Sequence, residues 1–461
     1  MNFWDFSSWG TFLIIAVLLL AILFANLLKR CFKFLRASLI PTSVIAGILI
    51  LIISTVFKAI TGYNMFDTEL FNNNGTDVLE VITYHCLAIG FIAQALKISD
   101  KKFTKLRSKE IFDSGVTTVA TYLLQAILGF GITLFIYYLI MPTLFPASGV
   151  LLPFGYGQGT GQALNFGNIY QELGFEGGAN FGLSIAALGF LSASIGGVVY
   201  LNIFKKRHNL LHLSKEEGIH TEAVQEQNEL PMQSSVDNLS IQIALIALVY
   251  VLSYATMFGL SKLIPSMQAT IYGFNFLFGV LFAALVKLIL KGLKKVNLVK
   301  KQYQNNFLLT RIGNAFFDIM IVAGISAIDL FTLKDYWLIL IILGLVGLVS
   351  TFFYCRIVAK TLFYDYRNEQ FLAMFGMLTG TASTGIMLLR EVDPDYKTPA
   401  ADNLVYQTLP AIVFGFPMMM LANLAPNKPW LTFGILVAFF AVMNIILFRS
   451  FIFRRRKKKL D

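Results

Sequence analysis

The chain has 461 residues, 56% of them apolar and 14% charged, with 43 Phe and a mean hydropathy of +0.69. A soluble globule carries about 25% charged residues, so this composition excludes an ordinary soluble domain and calls for lipid to cover the apolar surplus. The formal charge of +11 does not indicate nucleic acid, because the cations fall in short clusters between apolar runs and form no basic face.

Crossing about 30 Å of hydrocarbon takes roughly 20 helical residues. Eleven apolar runs approach that length, over 11–28, 38–60, 79–97, 115–140, 179–203, 239–263, 272–290, 306–328, 337–358, 403–424 and 430–448. The first is longer than the apolar part of a signal peptide, follows an uncharged or acidic start and has no small-residue cleavage site after it, so it is expected to be a retained helix. With the N-terminus outside, about 32 of the 37 Lys and Arg fall in inner loops or the C-terminal tail, which orients the chain with its N-terminus outside and C-terminus in the cytoplasm. Cys31, Cys86 and Cys355 lie far apart without CxxC spacing and give no disulfide or zinc framework.

Two segments do not read as spans. Residues 149–171 and 370–390 are rich in Gly, Thr, Ser, Asn and Gln where a helix is expected. Irregular backbone is tolerated at membrane depth only where protein or a water-filled cavity satisfies it, so both read as re-entrant segments lining a path, the first entering from outside and the second from the cytoplasm. The polar stretch 204–238 is a cytoplasmic linker. It divides the chain into 1–203, a five-helix repeat with its re-entrant segment, and 239–424, which repeats that order from the opposite side. Residues 425–461 add one helix and a basic tail. The expected fold is an all-α integral membrane protein of two inverted five-helix repeats, each with a re-entrant hairpin, plus one further helix.

Both re-entrant segments contain F-G-x-x-x-G-T, at Phe154, Gly155, Gly159, Thr160 and at Phe375, Gly376, Gly380, Thr381. Such a match arises by chance about once or twice in a chain this long, but chance does not place two copies in equivalent slots of inverted repeats. Glycine lets backbone approach a ligand, and broken helix ends offer N–H groups to carboxylates and C=O groups to cations. Small residues in membranes also serve helix packing, which is the alternative for any single glycine. Gln158, Thr160, Gln162 and Asn165 in the first segment and Thr379, Thr381, Ser383 and Thr384 in the second supply neutral oxygens suited to sodium. The alternative for each hydroxyl is a bond back to its own helix.

Arg311, Asn314 and Asp318 share one helix face at i, i+3, i+7. Asp318 could neutralise a cation and Arg311 hold a carboxylate; against this stands a structural Arg–Asp contact or Arg311 reaching the cytoplasmic surface. Arg390 follows the second hairpin and could grip a carboxylate bidentately or pair with Glu391 or Asp393. The expected substrate residues are therefore Gly155, Gly157, Gln158, Gly159, Gln162, Asn165, Gly376, Gly380, Ser383, Arg390 and Arg311, and the expected sodium residues Thr160, Thr379, Thr381, Thr384, Asn314 and Asp318. His85 and Gln94 read as interhelical hydrogen-bonders, and His208 and His212 as a solvated face of the linker.

The inverted repeats, GQGT at Gly157 to Thr160 and TGTASTG from Thr379 resemble the sodium:glutamate symporter family. The resemblance extends to Leu424. It implies sodium-coupled uptake of glutamate, a hairpin-bearing transport domain moving against a scaffold, a homodimer and a bacterial inner membrane. Gln158 stands where the family has His, and the eleventh helix is additional. Hydroxycarboxylate symporters share this architecture and keep citrate or malate open as substrates. Lipid, sodium and a small anion are the expected partners, with no organic cofactor. An enzyme finds no support, for there is no HExxH and no nucleophile-plus-base arrangement. An ion channel built from the two re-entrant segments is the remaining alternative.

Overall fold

Runs of Leu, Ile, Val and Phe without charge form long helices here because a helix satisfies all its backbone groups internally. A computed structural model describes residues 4–98, 104–208, 237–298, 301–393 and 397–452, and no strand occurs among them. The main helices, numbered in chain order, are α1 Phe6–Cys31, α2 Thr42–Thr61, α3 Gly75–Leu96, α4 Lys105–Leu139, α5 Leu151–Gln158, α6 Thr160–Glu172, α7 Gly178–His208 and α8 Asn238–Leu263. They continue with α9 Asn275–Lys295, α10 Asn306–Ser326, α11 Trp337–Leu362, α12 Arg367–Thr379, α13 Ala382–Arg390, α14 Ala400–Tyr406, α15 Thr408–Leu424 and α16 Pro429–Leu447.

Ten of the described helices are long and apolar enough to cross a membrane. They account for ten of the eleven expected spans. The remaining one, 403–424, is broken: Ala400–Tyr406 and Pro410–Leu424 meet at 51°, and together make the eleventh candidate span. Pro410 has no N–H to give to Tyr406, and its ring crowds that carbonyl, which ends the first helix. Helix α4 starts ten residues earlier than the apolar pattern suggests. Its 35 residues rise about 52 Å, more than the hydrocarbon thickness, so the charged turn Lys105–Glu110 extends past the apolar part.

The chain forms two compact units, one of Met1–Leu19, Phe66–Lys102 and Glu216–Gly324 and a second of Leu20–Met65, Phe103–Lys215 and Ile325–Asp461. Each takes segments from both halves read in the sequence. In the first unit, Ile92, Ala93 and Leu96 of α3 pack with Ile246 and Val249 of α8, Ala283 and Val286 of α9, and Leu309 and Ile312 of α10. His85 bonds through Nδ1 to the Tyr250 hydroxyl at 2.6 Å, joining α3 to α8 as expected. Gln94 accepts from Lys97, the residue after α3, at 3.4 Å and lies against Gly313 of α10.

The second unit is built around α4 and α7, whose most apolar stretches are 61% and 67% buried, against 22% for α16 at the periphery. The additional helix α16 is docked on α4 at both ends. Trp430 stacks on Tyr138 with ring centroids 5.6 Å apart, and Arg449 donates to Asp113 at 2.6 Å. Between them Tyr354 of α11 donates to Asn444 at 2.9 Å. Most of the linker read at 204–238, His212 included, lies outside the described residues, as do the side chain of His208 and the basic tail from 453.

Candidate functional site

Both glycine-rich segments are helix–break–helix hairpins, and both belong to the second unit. In the first, Phe154 of α5 stacks on Phe166 of α6 at 3.8 Å. The α5 ladder ends with Gly159 N–H donating to Gly155 O at 3.2 Å, and α6 starts with Ala163 N–H donating to Gly159 O at 3.1 Å. Between them Gly159 has φ +80°, ψ −172°, a backbone that L side chains rarely adopt. In the second hairpin α12 ends at Thr379, Gly380 carries the break, and Thr381 precedes α13 as its N-cap, accepting from Thr384 N–H. Gly376 and Gly385 let α12 and α13 touch through backbone, a Cβ on Gly376 falling 2.8 Å from Gly385 Cα.

The two breaks lie side by side. A Cβ on Gly159 would stand 3.6 Å from Thr381 Cγ2 and 3.9 Å from Gly380 O. Helix α7 backs both: Phe190 lies 4.0 Å from that Cβ position and 3.2 Å from the equivalent position on Gly380. One residue earlier, Gly189 brings α7 against both hairpins, since a Cβ there would be 2.6 Å from Thr379 O and 3.2 Å from Tyr156 Cα. Two helices therefore end and two begin in one place. Their dipoles bring partial negative charge at the ends of α5 and α12 and partial positive charge at the starts of α6 and α13.

The polar groups around the breaks are neutral, and most are buried, Gln158 and Thr381 only partly. Thr160, Thr379 and Thr384 have no exposure, Gln162 is 1% exposed and Asn165 6%. Both amide atoms of Gln162 and Nε2 of Gln158 are buried without a hydrogen-bond partner in the protein. A buried unpaired polar atom costs about 1–3 kcal/mol, so three such atoms beside one break carry a cost that no group of the protein offsets. Thr381 Oγ1 lies 3.4 Å from Thr384 Oγ1. Thr379 takes the other course, its hydroxyl donating to Phe375 O of its own helix at 2.7 Å. Gly155 and Gly157 are packing positions, Gly155 against Ile185 and Ala186 of α7 and Gly157 against the Tyr122 ring. The Ser383 side chain lies outside the described residues.

The expected charged residues divide between the two units. Arg390 is the last residue of α13 and is exposed; nine residues of helical rise put it about 13 Å from the break. Arg311, Asn314 and Asp318 belong to the first unit, all three exposed, with the Arg311 guanidinium over the Phe307 ring at 5.1 Å. Asp393, a sequence candidate to pair with Arg390, instead accepts from the Thr398 hydroxyl at 2.6 Å and from the Lys397 and Thr398 N–H groups.

Three residues of this site carried no motif. Tyr156 donates to Gly344 O of α11 at 2.5 Å and bonds Ser192 of α7 at 2.8 Å, fixing the last turn of α5. Tyr122 of α4 donates to Gly157 O at 3.0 Å, and Gln125 of α4, fully buried, donates to Leu378 O at 3.0 Å and Thr351 Oγ1 at 2.7 Å. The available signal was Gln125 itself, a lone amide amid apolar α4 sequence.

No individual curated protein matches the chain. The family model described as sodium/glutamate symporter matches residues 6–397, from α1 through both hairpins. The chain is thus a multi-pass membrane transporter protein, and it belongs to the sodium/glutamate symporter family.

Proposed function

We propose that this protein couples the inward sodium gradient to uptake of glutamate by alternating access, with substrate and ion meeting at the paired breaks of the two hairpins. The observation that carries this reading is the closeness of Gly159 to Gly380 and Thr381, one side chain's width apart, among buried amide atoms that have no partner. Sodium is held by hydroxyl and carbonyl oxygens of Thr160, Thr381, Thr384 and the ends of α5 and α12. The substrate carboxylates meet N–H groups at the starts of α6 and α13, with Gln158, Gln162 and Asn165 around them. A site built from neutral groups suits coupled transport. The anion enters only when a cation compensates its charge, and neither is bound so tightly that it cannot leave.

Both hairpins belong to the second unit, which fits a transport unit carrying its site as one body while the other part of the chain acts as scaffold. The hairpins are re-entrant, the repeats inverted, and lipid covers the apolar flanks of α1, α8 and α16. The N-terminus is outside and the C-terminus in the cytoplasm of a bacterial inner membrane, with the protein acting as a homodimer. No organic cofactor enters the cycle.

The test is uptake into liposomes containing the purified protein, with labelled glutamate, aspartate, citrate or malate and an inward sodium, potassium or proton gradient. Glutamate accumulating above its external concentration only with sodium supports the proposal. Preference for citrate or malate would move the substrate class, and equilibration without accumulation would indicate a channel.

A further inference from the structure

The two hairpins are held at equivalent carbonyls by one face of one helix. In F-G-x-x-x-G-T, Gly157 and Leu378 occupy the same position, each two residues before the break glycine. The Tyr122 hydroxyl donates to Gly157 O at 3.0 Å and Gln125 Nε2 donates to Leu378 O at 3.0 Å. Tyr122 and Gln125 are three residues apart on α4 and so share a face. Carbonyls in a last helical turn lack an intrahelical donor, and these two receive theirs from α4.

Gln125 has a second feature. Its Nε2 is already committed to Leu378 O and Thr351 Oγ1, while its Oε1 is buried and unpartnered. The amide cannot simply be turned round, because the Leu378 carbonyl only accepts and would then face another acceptor. An oxygen without a donor is left next to the end of α12, where the helix dipole also favours positive charge. A cation would satisfy both.

We propose that Tyr122 and Gln125 are the positioning residues of the coupling-ion site: they fix the terminal turns of α5 and α12 so that the oxygens at both breaks converge on sodium, and Gln125 Oε1 turns toward the same ion. The inference rests on the reading of the breaks as a sodium site. A single helix then sets the register of both hairpins. Loosening either carbonyl spreads the ligand oxygens without removing any of those on the hairpins.

Tyr122→Phe removes one hydroxyl and leaves the ring packed on Gly157. Gln125→Leu keeps the approximate volume and removes both amide atoms. In each, the sodium concentration for half-maximal glutamate uptake should rise at least about fivefold, the magnitude of one lost hydrogen bond, while the glutamate KM at saturating sodium changes less than about twofold. Sodium alone should also raise the melting temperature of purified wild type at lower concentrations than it does for the variants. A purely structural role would lower the sodium-free melting temperature and leave both sodium titrations where they are in wild type; that result overturns the inference. If Gln125→Leu fails to fold, Tyr122→Phe decides alone. Wild type that ignores sodium altogether would remove the proposed function, whereas sodium-dependent wild type with unshifted variants removes only the role of α4.

Discussion

Gly159 and Thr381 are 222 positions apart in the chain, yet a Cβ on Gly159 would touch Thr381 Cγ2 at 3.6 Å. This proximity sets the end of α5 beside the start of α13 and brings both glycine-rich breaks together.

Gly159→Ala should abolish uptake, because φ +80°, ψ −172° is a backbone essentially reserved to glycine, at a cost of about 1–3 kcal/mol for a side chain, and the added methyl would fill the space between the two breaks at van der Waals distance from Thr381. Gly62→Ala is the control: Gly62 has φ +78° at the end of α2 with nothing within 4 Å of its Cβ position. Its left-handed backbone (ψ −6°) takes a side chain at lower cost than the ψ −172° of Gly159, and the site is untouched, so Gly62→Ala should transport at wild-type rate. Uptake is compared at equal folded yield, which separates misfolding from loss of the site.

The two threonines flanking the second break should behave differently. Thr381→Val removes the N-cap of α13 and one oxygen of the proposed sodium site, and should raise the sodium concentration for half-maximal uptake by about 3- to 30-fold, the range of a lost cap. Thr379→Val removes a hydroxyl already bonded to Phe375 O, and should shift it less than about twofold. Equal shifts in the two sodium titrations would contradict the assignment of their oxygens.

Arg390→Gln should leave glutamate affinity within about twofold of wild type, since helical rise separates Arg390 from the break by about 13 Å and its side chain is exposed. A tenfold loss, read from competition for labelled glutamate, would instead make its guanidinium the partner of a substrate carboxylate.

The additional helix α16 is tied to α4 by Arg449 and Asp113, whose side chain is 6% exposed. Arg449→Ala leaves that carboxylate buried without its cation and should destabilise the protein by about 1–3 kcal/mol, below the cost of a fully buried pair because Arg449 is 31% exposed. Arg449→Ala combined with Asp113→Asn should recover much of the loss. Thermal unfolding of single and double variants measures the difference.

Orientation is tested by single cysteines in a background without Cys31, Cys86 and Cys355. Those placed in the loop 62–75 should react with an impermeant thiol reagent from outside, and those in 205–238 only after permeabilisation. Reversed labelling would invert the topology drawn from the cation distribution.

The helices were legible because hydrophobic length is a local property, and the hairpins because glycine and hydroxyl residues interrupt that length in two matching places. The bend before α15 was hidden within one apolar run that holds two prolines, Pro410 and Pro417, and only the first coincides with a bend. The early start of α4 was hidden because Lys105–Glu110 is charged and does not read as a span. Arg311, Asn314 and Asp318 do lie on one helix, but their membership of the first unit follows from tertiary packing that no spacing records. Tyr122 and Gln125 escaped for the same reason: their partners are backbone carbonyls, and a carbonyl leaves no mark in a sequence.

The central claim is that sodium and glutamate meet at the paired breaks, and protection of a cysteine placed there tests it most directly. Thr381→Cys, in the cysteine-free background, should react with a small membrane-permeant thiol reagent, because Thr381 is only partly buried. Sodium and glutamate together should slow the reaction at least about fivefold, the protection expected when ligand occupies most sites, and more than either does alone. A labelling rate indifferent to both, in protein that still transports, would place the ligands elsewhere and contradict the account.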